Sequence, residues 1–487
     1  MKQALLLAII AAPVLASCAG LGGPGARSPD VRISGFGAPG DFAISDRTLD
    51  RWWELYEDAE LTGLVNAGLA NNTDVRTAIA RLEESRAARA SVLRSLLPRG
   101  DVTGAAELRE TQRVGAGATS PTTGGQGFFR PAVGRQNSQN LDFPISFDPD
   151  PFGRNVEARR TINAEFLASR YAYEGVRAAV AAQIADTYFL ARGTAVQLEE
   201  ARETLRITRE LSRVTRIRAE RGLAASSEFS RAETERANAE AEIARLEAES
   251  RADRRGLLVL LGRPAEAIDD LPMRAELYDP PQAPSLVSGD LLVRRPDVRE
   301  AQARIEAASG NLRRARLALL PSFTFRPSLG TSRLENVFFT SATSFWALGA
   351  NVLLPVLDRP RLLAEIQVNG ARAEQAVIAY ERAVQTAFSE ADRSLIQLQG
   401  DRARVSQLTD AVSRARSAYE AAQRGYQAGL TDLQALLDAE RAYRSTRSNL
   451  SGARTLALQR SVLVFRALGG GWSSELTQNS AQAAPRP

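Results

Sequence analysis

The sequence contains no histidine and only one cysteine, Cys18. Histidine is the side chain that titrates near neutral pH and the commonest metal ligand, so its absence argues against acid–base catalysis and a metal site. A lone cysteine also excludes an intramolecular disulfide. The glycine-rich runs at residues 20–23 and 469–471 lack the strand-then-helix setting of a phosphate loop. We therefore predict that the chain is not an enzyme and binds no metal.

Charge of one sign is not concentrated anywhere in the chain. The 487 residues carry 62 basic and 57 acidic side chains, a formal net charge of +5, and no dense basic run. Proteins that bind nucleic acid normally show a basic patch or stripe, so we exclude a nucleic-acid partner. A hydrophobic content of 44% with 24% charged residues is more typical of long helices with large solvent-exposed surfaces than of a compact enzyme.

Long apolar runs are also missing after the N-terminus. No later stretch reaches the roughly 18 apolar residues of a membrane-spanning helix, so the mature chain could cross a membrane only as β-strands. At the N-terminus, Met1-Lys2 precede a short apolar stretch at residues 4–15, followed by Leu15-Ala16-Ser17-Cys18. A basic start, a short apolar core and small residues before a cleavage site predict a secretory signal peptide over residues 1–17.

The end of this signal resembles a bacterial lipobox. The resemblance implies that Cys18 carries a covalent lipid, and we predict no other cofactor. Ala19 after the cysteine, where Asp would favour the inner membrane, implies transfer to the outer membrane of a Gram-negative bacterium. The alternative is an ordinary signal peptide with a chance cysteine.

The sequence contains an internal repeat. Residues 74–81 recur as residues 297–304, and Leu97-Pro98 recurs as Leu320-Pro321, at an offset of 223. Three later pairs recur at an offset of 207: Gly222-Leu223, Ala232-Glu233 and Leu261-Gly262 match Gly429-Leu430, Ala439-Glu440 and Leu468-Gly469. A long unit present twice predicts two equivalent halves. The change of offset predicts an insertion in the first half, which we place in the Gly/Thr-rich run 115–127.

The repeat divides the chain into regions. Residues 18–45 are rich in Gly, Pro and Ala and predict an extended tether. The first repeat covers residues 46–262 and the second covers 294–469, and the Pro-rich residues 263–293 link them in an equatorial region. We predict a disordered polar tail over residues 470–487.

Each repeat contains two short segments in which apolar and polar residues alternate. They cover about 101–113 and 137–148 in the first repeat, and 322–331 and 345–355 in the second. About ten residues with one apolar face is the length and pattern of a tilted transmembrane strand. Soluble hairpins are the alternative, but the equivalent positions in the two repeats favour a membrane sheet. Four strands are too few to close a barrel, and unpaired strand edges are not tolerated in lipid. Several chains must therefore form one barrel together, and three chains would supply twelve strands.

The rest of the sequence predicts long antiparallel helices. Prolines are absent between Pro151 and Pro264 and between Pro360 and Pro485. In both tracts apolar residues recur every three or four positions, as in coiled coils. After a helical segment at 46–97, interrupted near Asn71-Asn72, we predict long helices over 153–221 and 360–428, each roughly 100 Å long. We predict a shorter helix over 296–320 and return helices over 225–262 and 431–468.

Turn residues separate each long helix from its return helix. Gly222 and Gly429 suit the left-handed position at which helices end. Thr431 stands three residues before Gln434, which predicts a capping box, and Ser226 or Ser227 is the corresponding cap in the first repeat. The four tryptophans, Trp52, Trp53, Trp346 and Trp472, are predicted to be packing or membrane-interface residues.

With these features the sequence resembles the TolC family of outer-membrane efflux channels, in its NodT-like lipoprotein branch. The match runs from about residue 18 to 469. The residues that carry it are the lipobox at Cys18, Arg295-Pro296-Asp297-Val298-Arg299, Leu320-Pro321, Asp150-Pro151-Phe152-Gly153-Arg154, Gly222-Leu223, Tyr426-Gln427-Ala428-Gly429-Leu430 and Leu437-Asp438-Ala439-Glu440.

The resemblance implies a mainly α fold with a small β part. It also implies that three chains form a homotrimer, with a twelve-stranded barrel in outer-membrane lipid and a helical barrel in the periplasm. The helical tips meet a periplasmic adaptor that couples the channel to an inner-membrane pump, usually of the resistance-nodulation-division type. The implied function is passive export of small molecules such as drugs or toxic compounds.

The resemblance also implies a periplasmic gate. Tyr426, Asp438 and Glu228 match residues that close the tips, and Gly222, Leu223, Gly429 and Leu430 match tips that contact the adaptor. Ala435 and Thr431 stand where the family has a second carboxylate and an arginine. A ring of three Asp438 carboxylates would attract cations. The alternative is that Asp438 is a solvated carboxylate paired with Arg441.

Two other functions fit the sequence. One is an outer-membrane conduit for a type I protein-secretion system. The other, from a different class, is a lipid-anchored periplasmic coiled-coil spacer that crosses no membrane. The lipobox favours efflux over secretion, and the four matched alternating segments argue against the spacer.

Overall fold

The proline-free tracts fold into helices of the predicted length. A computed structural model describes residues 49–111, 134–223, 225–282, 294–336 and 339–473. The predicted signal peptide, Cys18, the tether and the Gly/Thr-rich run 115–127 all lie outside these residues.

Seven α-helices account for most of the described chain. The two long ones have 67 and 69 residues, and each is followed by a return helix of 35 residues. The helices are α1 (Ala59–Asn71), α2 (Thr73–Ser95), α3 (Arg154–Glu220), α4 (Ser226–Leu260), α5 (Pro296–Leu317), α6 (Arg359–Gln427) and α7 (Leu433–Ala467). Within the described ranges, none of these helices is both long and apolar enough to cross a bilayer.

Polar side chains at the helix starts supply the missing hydrogen-bond acceptors. The predicted interruption near Asn71-Asn72 is confirmed, because the Asn72 carboxamide accepts hydrogen bonds from the Asp74 and Val75 amides and begins α2. The Asp150 carboxylate accepts hydrogen bonds from the Arg154 and Asn155 amides, at 2.7 and 2.5 Å, and begins α3.

The predicted caps of the two return helices are wrong. Asp432 caps α7, because its carboxylate accepts a hydrogen bond from the Ala435 amide at 2.8 Å. The Thr431 hydroxyl instead donates to the Ala422 carbonyl of the preceding helix. Helix α4 begins after Ala225, whose side chain cannot cap, so neither Ser226 nor Ser227 has that role.

The strands form one antiparallel sheet. Its members are β1 (Arg99–Gly100), β2 (Thr103–Thr111), β3 (Gly134–Ser146), β4 (Ser322–Asn336) and β5 (Thr340–Leu353). Strand β3 pairs with β2 and β4, β4 pairs with β5, and the two-residue β1 continues the edge formed by β2. The β3–β4 pairing joins strands of the two repeats.

The boundaries of all four predicted strands need correction. The segment predicted at 101–113 contains only β2, with β1 before it, and the strand predicted at 137–148 is β3, which begins and ends earlier. The second-repeat strands β4 and β5 have 15 and 14 residues, where the prediction gave 322–331 and 345–355. Their extensions, such as residues 332–336 and 340–344, are mostly polar. Alternation of apolar residues therefore marked only the apolar part of each hairpin, and backbone pairing continues past it.

The described chain forms two compact units, and each contains segments from both repeats. Unit 1 includes residues of Arg86–Glu165 and Ile305–Gln375, and it contains the sheet and adjoining helix ends. Unit 2 includes Phe166–Arg304 and residues of Ser28–Ser85 and Ala376–Pro487. It contains the turns that follow the long helices.

The main core of unit 2 is aromatic. Trp52 is fully buried and stacks on Phe465 of α7, with ring centroids 5.7 Å apart and an interplanar angle of 8°. Tyr56 and Phe189 extend this cluster. Three of the four tryptophans are thus packing residues, because Trp52, Trp53 and Trp472 are each at most 3% exposed. Trp346 on β5 is 78% exposed.

The Arg294-Arg295-Pro296-Asp297 segment fixes the end of α7. Arg294 is buried and donates to the Trp472 carbonyl at 3.0 Å, and Arg295 donates to the Ala467 carbonyl at 3.2 Å. Carbonyls in the last turn of a helix lack partners within the helix, and a cation there also complements the helix dipole. Arg295 is itself held by Asp297 and Glu390, each at 2.7 Å.

The predicted disordered tail begins too early. Gly471 donates a backbone hydrogen bond to the Leu49 carbonyl at 2.9 Å, and Trp472 packs edge-on to Tyr171. A Cβ at Gly470 would lie 2.8 Å from Trp52, so this approach requires glycine. Residues 470–473 therefore belong to the core of unit 2, and residues 474–487 lie outside the described chain.

Candidate functional site

The turns after the two long helices have the same hydrogen-bond pattern. Gly222 and Gly429 have φ angles of +69° and +72°, as predicted for the residue that ends each helix. The Leu223 amide donates to the Arg218 carbonyl and the Leu430 amide donates to the Gly425 carbonyl, both at 2.8 Å. This six-to-one closure is the Schellman motif. These two turns, hereafter the tips, therefore have the same backbone conformation, as the internal repeat predicts.

A leucine projects from each tip. Leu223 is 67% exposed and Leu430 is 83% exposed in the isolated chain. In a Schellman motif the residue at this position commonly packs against the preceding turn. Exposed leucines at two equivalent turns are unusual for a capping role alone, and they give each tip an apolar end.

Tyr426 is joined to the other long helix. Its hydroxyl accepts a hydrogen bond from Arg218 at 3.0 Å, and the Arg218 guanidinium lies 5.4 Å from the centre of the Tyr426 ring. The contact therefore combines a hydrogen bond with a cation–π interaction. The sequence predicted a role for Tyr426 but not its partner, because 208 residues separate the two and no motif marks Arg218.

Asp438 lies one turn from an arginine on α7. Its carboxylate is 3.4 Å from Arg441, and its side chain is 57% exposed. Arg441 also donates to Glu235 of α4 at 2.5 Å, and that hydrogen bond is the main reason why the pKa of Arg441 is raised. The structure therefore contains the Asp438–Arg441 contact of the alternative interpretation, while the ring of three Asp438 residues stays a prediction.

The remaining predicted gate positions are not brought together in one chain. Glu228 is half-buried in the first turn of α4, and in the described parts of the chain it has no side-chain hydrogen bond or ion pair with Tyr426 or Asp438. Ala435 donates the amide that Asp432 caps, and Thr431 packs against Gly425. Their departures from the family pattern therefore have local structural roles.

One face of the sheet in unit 1 is an exposed apolar surface. The register aligns Phe143 of β3 with Leu329 of β4 and Leu329 with Trp346 of β5, so these side chains share a face. Leu348 and Val352 continue the face along β5 and are 71% and 59% exposed. The opposite face carries polar or small residues such as Arg326, Ala347 and Asn351. An exposed apolar patch of this kind marks a membrane or protein contact.

The two edges of the sheet have no partner within the described residues. Strands β2 and β5 each pair with a single neighbour. Their outer backbone N–H and C=O groups therefore remain open to another strand. Across the same described residues, no group of three acidic or thiol side chains is arranged to hold a metal ion.

Known proteins resemble this chain in sequence and in fold. Residues 64–263 and 287–470 match the model of the family described as outer membrane efflux protein. The chain belongs to this family. The predictions of an outer-membrane location, of efflux and of a chain that is not an enzyme are thereby confirmed.

Curated relatives of the chain cover nearly its whole length. The pyoverdine export outer membrane protein OpmQ of Pseudomonas aeruginosa is 28% identical over 474 residues, covering 95% of this chain and 97% of the relative. The toluene efflux pump outer membrane protein TtgF of Pseudomonas putida is 29% identical over 436 residues, covering 88% and 86%.

A solved structure shares the fold. The Campylobacter jejuni CmeC outer membrane channel has a TM-score of 0.79 and 20% identity, and the match covers 94% of this chain and 98% of CmeC. The predicted fold class, mainly helical with a small sheet, is confirmed.

Proposed function

We propose that three copies of this efflux protein form the outer-membrane exit duct of a tripartite efflux system. Each chain would contribute β2–β5 to a twelve-stranded barrel and α3, α4, α6 and α7 to a helical duct in the periplasm. The observation that carries the proposal is the sheet itself, which combines an exposed apolar face with two unpaired edges. In lipid, both edges must be paired, and neighbouring copies offer the matching strands.

The partners of the trimer would be a periplasmic adaptor and an inner-membrane pump. The adaptor would bind the helical tips, where Leu223 and Leu430 provide apolar contacts on a polar rim. The pump, of the resistance-nodulation-division type, would deliver the cargo. Cargo would be small molecules, the class to which the pyoverdine and toluene named for OpmQ and TtgF belong. A lipid on Cys18 would add a second membrane attachment.

The proposed duct predicts an effect of Asp438 on conductance. In planar bilayers the wild-type trimer should give discrete channels, and Asp438→Ala should raise their conductance and weaken cation selectivity, since a ring of carboxylates would be lost from the constriction. Glu210→Ala is the matched control, because Glu210 pairs with Arg213 at the same three-residue spacing on an exposed helix face. Equal effects of the two variants would contradict the ring, and absence of channels would favour the spacer.

The tips predict a variant that separates assembly from efflux. Leu223→Asp with Leu430→Asp places two charges per chain where an apolar adaptor contact is proposed. We expect efflux by cells to be lost while the purified protein keeps its trimer and its conductance, because both side chains are exposed in the isolated chain. Leu223→Met with Leu430→Met keeps the apolar surface and should retain efflux. Normal efflux by the Asp variant would remove the tips from the adaptor contact.

A further inference from the structure

A cavity of about 370 Å³ lies among four helices of unit 2. Its walls come from α3, α4, α6 and α7, and they include Tyr419, Tyr443 and Glu440. Cavities of about 300–1,000 Å³ with a few directed polar groups are typical of small-molecule sites. None of the residues that line it belongs to the tips or to the sheet, and no role proposed above uses it.

Glu440 lines this cavity with one carboxylate oxygen that has no hydrogen bond in the described chain. The residue is 5% exposed, and its Oε2 atom makes no hydrogen bond to any described residue. Burial raises the pKa of its carboxyl above the usual value, an effect that Arg444 opposes. A buried carboxylate oxygen without a hydrogen bond is costly, so a cationic donor at Oε2 would stabilise the charged form.

The arginines around the cavity are already engaged with other carboxylates. Arg444 lies 3.5 Å from Glu235, and Arg447 lies 3.0 Å from Glu200. Arg245 lies 2.7 Å from Glu242 and also contacts Glu249. Each of these arginines is thus paired with a carboxylate other than Glu440.

The repeat provides an internal comparison for Glu440. The equivalent residue in the first half, 207 positions earlier, is Glu233, whose carboxylate accepts hydrogen bonds from Ser212 and Arg236. These bonds, that from Arg236 foremost, lower the pKa of Glu233 to about 2. The same offset relates Ser212 to Tyr419 and Arg236 to Tyr443. In the second half, both partners of the glutamate are thus replaced by tyrosines.

The two tyrosines form an aromatic wall of the cavity. Their rings are stacked with centroids 5.8 Å apart and an interplanar angle of 7°. An aromatic face attracts a cation, most strongly when water is excluded. An aromatic wall beside a buried carboxylate is therefore suited to a cation that also carries an apolar group.

We infer that this cavity binds a small organic cation, an ammonium or amidinium with an aromatic or aliphatic body. The cationic N–H groups would donate to Glu440, and the body would lie against Tyr419 and Tyr443. The bound cation takes the place that Arg236 occupies beside Glu233 in the first half. The inference goes beyond the proposed export function and does not depend on it.

Benzamidinium is a probe of this chemistry, and neutral benzamide is its matched control. With the full chain in detergent, saturation-transfer NMR and thermal unfolding should detect benzamidinium at millimolar concentration and benzamide at least about tenfold more weakly, as expected when a charge-assisted contact is lost. Glu440→Gln should weaken benzamidinium binding by a similar factor. It should also raise the thermal midpoint of the empty protein, because an unpaired buried charge is removed.

Tyr443→Arg tests the comparison between the repeats. This variant gives Glu440 the arginine that Glu233 has, so it should abolish benzamidinium binding while keeping or raising the thermal midpoint. Tyr443→Phe keeps the aromatic wall and should retain binding. Equal binding of benzamide, undiminished binding to Glu440→Gln, or no binding to the wild-type chain would each overturn the inference.

Discussion

Leu348→Arg should prevent assembly of the protein in the outer membrane. Leu348 lies in the middle of the apolar stretch of β5, is 71% exposed and pairs with Pro327 of β4. If this face meets lipid, an arginine near the bilayer midplane costs about 2–4 kcal/mol per chain. Three chains would incur that cost together, so we expect the trimer to be absent from outer-membrane fractions.

Ala347→Arg is the control for this variant. Ala347 is the neighbouring residue on the same strand, it is also exposed, and it pairs with Ser328 on the opposite face of the sheet. In the proposed barrel that face lines an aqueous interior, where a charge is tolerated. We expect Ala347→Arg to assemble normally. Assembly of both variants would show that the face carrying Trp346 does not meet lipid.

The same pair of variants separates the channel from the coiled-coil spacer. If the protein were a spacer that crosses no membrane, neither face of β5 would meet lipid, and the two arginine variants should assemble equally well. Trimer content can be measured by native mass spectrometry of detergent extracts, and membrane location by fractionation. Loss of both variants would indicate a soluble contact on this sheet.

Patterns of short range predicted much of the fold. Helix positions followed from the absence of proline and from apolar residues at three- and four-residue spacing. Gly222 and Gly429 predicted both turns, because a left-handed φ angle strongly favours glycine. The sheet was predicted by alternation at residues such as Trp346 and Leu348, which the register places on one face.

Features that depend on one hydrogen bond or on distant contacts were not predictable. Thr431 and Asp432 are adjacent and both can cap a helix, so only the geometry of the turn decides that Asp432 does. Composition suggested a disordered tail, but Gly471 and Trp472 are held by contacts with Leu49 and Arg294. Such contacts join residues that are far apart in the sequence and leave no local pattern.

The residues of the candidate site also divide into those that the sequence predicts and those that it does not. The tip glycines and leucines were found through the repeat, and Tyr426 and Asp438 through resemblance to a family. Arg218, the partner of Tyr426, and Glu235, the partner of Arg441, were missed, because either could be one of many solvated charges on a long helix. The unsatisfied Oε2 atom of Glu440 was also missed, since it is visible only when the helix is packed against its neighbours.

Trp52→Ala should cause the largest loss of stability in unit 2, about 3–5 kcal/mol, the usual cost of removing a large aromatic side chain from a core. Trp52 is fully buried, stacks on Phe465 and packs edge-on to Trp53, so it joins the start of the described chain to its last helix. Its ring N–H has no hydrogen-bond partner among the described residues, so its contribution comes from packing.

Two further variants test whether packing is the cause. Trp52→Phe keeps a ring against Phe465 and should recover a large part of the loss. Trp346→Ala removes an equally large side chain that is 78% exposed, and in detergent it should change stability by no more than about 0.5 kcal/mol. Urea denaturation followed by circular dichroism at the helix band measures all three. Similar losses of stability for Trp52→Ala and Trp346→Ala would contradict the prediction. They would mean that burial of the side chain does not determine how much its removal lowers the free energy of unfolding.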